Sequence, residues 1–98
     1  MTKPTIHLNG TSGEALLEGY RTAMEAVGEA VRKLNNETHP NARDYYPQGN
    51  HAYQDAVKEH TERRVKLESV YNELMELAEH CDSIVTEIAQ RRAERNRV

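Results

Sequence analysis

The sequence predicts an all-α protein: an antiparallel helical hairpin with one shorter and one long helix joined by a long ordered loop, assembling as a homo-oligomeric bundle. Three observations lead there. Apolar residues recur in steps of three and four through two long segments, the pattern of amphipathic helices. Between them the stretch HPNARDYYPQG, His39 to Gly49, breaks the helical spacing and carries two prolines. The second segment is also so much longer than the first that part of its apolar stripe is expected to lack a partner in the same chain.

Ninety-eight residues suit a single domain near the small end of what sustains its own core, and the absence of Phe and Trp makes that core thin. The chain is 37% hydrophobic and 30% charged, yet its apolar residues are concentrated in the periodic segments, which separates it from disordered sequences. Cys81 has no second cysteine to pair with, and the start MTKPTIHLNG lacks the charged and apolar regions of a secretion signal. No window approaches the roughly eighteen apolar residues of a membrane span. A soluble, cytoplasmic protein is expected.

The first ten residues read as a polar arm. Thr11-Ser12-Gly13-Glu14 matches a capping box with Thr11 as the cap, so the first helix is placed at 11–35. Leu17, Tyr20, Met24, Val27, Val31 and Leu34 form its stripe, widened by Leu16, Ala23 and Ala30, and Asn35-Asn36 is expected to close it. Gly19 and Gly28 inside this helix suggest close approach of another backbone or a ligand.

A loop is expected over 36–50. The second helix, 51–95, starts behind the N-cap Asn50 and carries His60, Leu67, Leu74, Cys81 and Ile88 every seven residues, with an alternative break near Asp82-Ser83. At about 1.5 Å per residue the first helix spans roughly 36 Å and the second nearly twice that. Residues beyond about Tyr71 are then an unpartnered overhang, which assigns Leu74, Leu77, Cys81, Ile84, Val85 and Ile88 to an oligomer interface. Where the stripe lapses, at His60, Arg63 and Arg64, either the helix is exposed or a polar pocket lies against it.

The formal charge of -3 conceals Arg91, Arg92, Arg95 and Arg97 near the end of the chain. Arginines there complement the helix dipole, and because a whole-domain basic face is missing, nucleic acid is not an expected partner.

A connection of this length between packed helices points to function. Tyr45 and Tyr46 are rigid contact residues, Pro40 and Pro47 lower the entropy of ordering, and Arg43 offers a planar fork suited to phosphate or carboxylate. The predicted ligand-binding set is therefore His39, Asn41, Arg43, Tyr45 and Tyr46 from the loop, joined by His7, Asn9, Thr11 and Ser12 from the glycine-bracketed helix start. An antiparallel dimer, or a loop folded back along the helices, would bring the two clusters together.

No catalytic residue, metal site or cofactor is expected. The five histidines show neither HExxH nor paired ligand spacing, His80 reads as a helix-surface residue, and Cys81 reads as a buried small hydrophobe. The chain is not expected to be an enzyme.

With IHLNGTSGEALLEGY, PNARDYYPQG and a long acidic helix, the chain resembles small helical proteins encoded in phage and prophage genomes. The resemblance implies an accessory, anti-defence factor acting in the host cell's cytoplasm, either by sequestering a signalling nucleotide or by binding a protein. The leading expectation is a small anionic, nucleotide-like ligand, with the chain itself as partner in a dimer or higher oligomer. The alternative is an inhibitor or adaptor that blocks a host or defence protein through the loop or the apolar part of the second helix.

Overall fold

The computed structural model describes residues 1–97. They are helical with no strand, in the order α1 (Gly13–Glu37), two short 3-10 turns (Ala42–Asp44 and Tyr46–Gln48) and α2 (Ala52–Arg95). α1 is capped by Ser12, whose Oγ accepts from the Ala15 N–H at 3.1 Å. The cap thus lies one residue beyond Thr11, and because position 15 is Ala, the reciprocal glutamate bond of a capping box is missing. α1 continues through Asn35-Asn36 to Glu37, and Thr38 closes it by donating from both its N–H and its Oγ1 to the Leu34 carbonyl. Pro40 blocks continuation by pushing His39 out of the helical region. α2 begins two residues after Asn50, with the His51 carbonyl accepting from the Asp55 N–H, and passes Asp82-Ser83 without a break.

The chain divides into two compact units. The first comprises Met1–Glu25 with the chain from Asn72 onward, and the second comprises Ala26–Tyr71.

In the first unit the opening turns of α1 pack on the later turns of α2. Leu17, Ala78 and Cys81 are buried together, with Leu16, Tyr20 and Met24 packed around them. Gly13 is buried because α2 and the arm press against it: a Cβ there would lie 2.8 Å from Val85 Cγ2 and 3.0 Å from Ile6 Cδ1. Gly13 is therefore the glycine of close approach, whereas a Cβ at Gly19 meets nothing within 4 Å. The arm is tied down by His80, whose Nε2 donates to the Pro4 carbonyl at 2.8 Å, so His80 is a half-buried clamp and not a surface residue.

These contacts correct the expected overhang. Cys81 is 0% exposed within the single chain, Val85 reaches Gly13, and Leu74, Leu77 and Ile84 are half-buried. From Thr86 to Arg95 every residue is exposed, Ile88 at 37%.

In the second unit the reason for the shift is visible. A Cβ built on Gly28 would sit 3.5 Å from Tyr71 Cε2. Counting nine residues forward from Gly28 and nine back from Tyr71 brings the end of α1 level with Glu62. The opening turns of α2, Ala52 to Thr61, therefore extend beyond α1 by about 15 Å. Loop residues pack on this stretch, as His39 does on His60. The expected hairpin had instead paired the first residue of the long helix with the last of the short one.

Candidate functional site

The loop is ordered by short-range bonds that follow from its composition. Asn41 caps the first 3-10 turn by accepting from the Arg43 N–H at 3.1 Å, and its carbonyl accepts from Asp44 at 3.0 Å. The Tyr45 carbonyl accepts from Gln48 at 2.9 Å, and Gly49 leaves the second turn at φ +121°, a conformation glycine alone adopts readily. The loop is thus ordered mainly by its own backbone bonds, with the Asn41 side chain engaged as a cap.

Tyr45 is half-buried, while Tyr46 is 74% exposed and Asn41 and Arg43 are also exposed. His39 donates from Nδ1 to the Pro40 carbonyl at 3.1 Å and sets its ring edge-on to His60, centroids 5.2 Å apart at 67°. His60 is only 4% exposed, and its Nε2 is buried without a hydrogen-bond partner. One turn on, Arg64 also has a buried, unbonded Nε, which faces Glu68 across 3.6 Å. Burial lowers the His60 pKa below 6.5, and His39, Arg64 and Arg63 push it further in the same direction.

The lapse of the α2 stripe at His60, Arg63 and Arg64 is therefore a polar cluster beneath the loop. It combines a buried His60 ring held neutral, the Arg63 and Arg64 guanidiniums and the Glu68 carboxylate that faces Arg64, and the two guanidiniums are the groups in it that would attract an anion. The buried state of His60 was not legible from its neighbours in sequence; its place in the heptad series beside Leu67 was the available signal.

The other predicted cluster belongs to the first unit. His7, Asn9, Thr11 and Ser12 are exposed, the Gly10 N–H bonds the His7 carbonyl at 3.1 Å, and Ser12 is engaged as the α1 cap. It falls in a different unit from the loop. An open groove of about 460 Å³ lies between the arm and α2, lined by Lys3, Glu76, Glu79, His80, Ser83 and Ile84. Burial pushes the Cys81 thiol pKa up, which disfavours the thiolate needed of a nucleophile. Among the described residues no helix is long and apolar enough to cross a membrane.

The sequence matches no protein-family model, and neither a curated protein nor a solved structure is detectably similar to it.

Proposed function

We propose that this chain is a non-enzymatic, phage-type accessory protein that works as an assembly of identical chains and sequesters a small anionic, nucleotide-like ligand on its loop face. The observation that carries this reading is the ring nitrogen Nε2 of His60, buried without a hydrogen-bond partner beneath the loop that bears Arg43. Buried polar groups are normally paired, so this orphan marks a place where a hydrogen-bond partner is wanted, one turn before Arg64, whose Nε is turned to Glu68. Arg43 supplies a bidentate contact for phosphate, Tyr46 a flat face for a base, and His39 and Asn41 further hydrogen bonds. His7, Asn9 and Thr11 remain at hand for a ligand shared with a neighbouring copy. The resemblance to small phage-encoded proteins supports the accessory, anti-defence role.

Titration calorimetry with ATP as probe, on wild type and Arg43→Ala, tests this reading. A charge-assisted hydrogen bond is worth about 1.5–3 kcal/mol, so the variant is expected to bind roughly tenfold to a hundredfold more weakly. Equal affinity in the two proteins removes Arg43 from the site.

A second reading, in which the loop docks on a host or defence protein, draws on Tyr46. A tyrosine left 74% exposed on an ordered turn resembles the aromatic anchors of protein interfaces.

A further inference from the structure

The part of α2 that projects from the first unit is basic. Val85 packs on Gly13 at the start of α1, and every residue from Thr86 to Arg97 is exposed. Residues 86–95 alone make about 15 Å of helix. Arg91, Arg92 and Arg95 fall within about 100° of arc, whereas Glu87, Gln90 and Glu94 share a separate flank of about 60°. That acidic flank continues back through Glu79 and Asp82, which line an open groove with Glu87 and Gln90. Arg91 pairs with Glu87, and among the described residues Arg92, Arg95 and Arg97 meet no carboxylate. The dipole of α2 accounts for Arg92 and Arg95 in its last turn, yet it leaves their guanidinium donors open.

Four arginines against Glu94 give residues 91–98 a net charge of +3, which leaves -6 on the rest of the chain. The complement of this end is a polyanion. Its chemistry narrows further, because a protein interface centres on a cluster of apolar or aromatic anchors and a membrane-surface helix needs a continuous apolar face. Between Thr86 and Arg97 the one large apolar side chain is Ile88, 37% exposed. Phosphates need no such core, and they take the paired donors that guanidinium forks present. Size agrees: a lone helix is about 10–12 Å across, and the major groove of B-form DNA is about 12 Å wide. The deep, narrow major groove of duplex RNA does not admit it.

We infer that the projecting end of α2, through Arg91, Arg92, Arg95 and Arg97, is a contact surface for the phosphates of a DNA duplex. The contact is independent of base sequence, since phosphates carry none of it. The acidic remainder of the chain is repelled by DNA, so only this end of the helix touches it. The sequence alone offers no whole-domain basic face and leaves nucleic acid unexpected; the structure adds that these arginines stand clear of the rest of the first unit. The surface does not depend on the ligand proposed for the loop.

Fluorescence anisotropy of a short labelled DNA duplex, titrated from low to physiological salt, tests this on wild type, Arg92→Gln/Arg95→Gln and Lys58→Gln/Lys66→Gln. Three to four phosphate contacts predict that log affinity falls against log salt with a slope of about -3. The arginine variant is expected to lose about 2 of that slope and to bind more weakly at every salt concentration. The lysine variant removes the same charge from exposed positions elsewhere on α2 and is expected to keep the wild-type slope and affinity. Both variants place a good helix former at exposed sites, so the helix is retained. Wild-type binding in the arginine variant, equal losses in the two variants, or no binding of the duplex by wild type at low salt overturns the inference. A single strand of the same length that competes as well as the duplex overturns the duplex as partner.

Discussion

His80 holds Pro4 across an interval of 76 residues, its Nε2 donating to the proline carbonyl at 2.8 Å. This bond ties the N-terminal arm to α2 and helps set Ile6 against Gly13. Replacing His80 by Ala is expected to release the arm and cost about 1 kcal/mol, the net worth of one hydrogen bond. Hydrogen exchange read at residues 1–10 checks it, with faster exchange there and unchanged exchange at the loop.

Two glycines of α1 are expected to respond with opposite sign. Gly13→Ala drives a methyl group to within 2.8 Å of Val85 and 3.0 Å of Ile6, so overpacking is expected to cost about 1–3 kcal/mol. Gly28→Ala meets only Tyr71, at an ordinary 3.5 Å, and gains helix propensity worth roughly 0.5–1 kcal/mol. Chemical denaturation of the two variants, compared at equal protein concentration, measures both changes.

Much of this was legible in the sequence and some was not, for identifiable reasons. The apolar periods of Leu17–Leu34 and Leu67–Ile88 predict both helices, and Cys81 at the centre of its stripe is buried as expected. The cap moved from Thr11 to Ser12 because adjacent hydroxyl residues compete for one position. The pairing of the helices was misjudged because a loop is silent about its path: this one lies along the opening turns of α2, so the stretch extending beyond α1 is Ala52–Thr61 and not the region after Tyr71. The arm's role was invisible because Pro4 and Ile6 have no periodic context, and His80 looked like any polar residue on a helix.

Acid is expected to loosen the second unit through His60. Its folded pKa lies below 6.5, so the unfolded chain binds protons more readily, and stability rises with pH across the interval between the two values. The contribution is fully present above about pH 6.5 and is lost as pH falls through the folded value, where a charged His60 would face His39, Arg63 and Arg64. The difference in denaturation midpoint between wild type and His60→Leu, followed from neutral to mildly acid pH, is expected to shift in the variant's favour as the wild type weakens. Parallel curves would remove His60 as the source.

Gly49 ends the loop at φ +121°, where any Cβ is strained although nothing stands in its way. Gly49→Ala is expected to cost about 1–3 kcal/mol. The loss should appear as faster amide exchange over residues 39–51, with exchange at Leu17 and Cys81 unchanged.

A native mass spectrum of the protein purified from cells, set beside that of Arg43→Ala, tests the central claim most directly. The ligand reading predicts a wild-type assembly carrying a nucleotide-sized mass that the variant lacks. A wild-type assembly free of any adduct, and unchanged after incubation with ATP and cyclic dinucleotides, would contradict it.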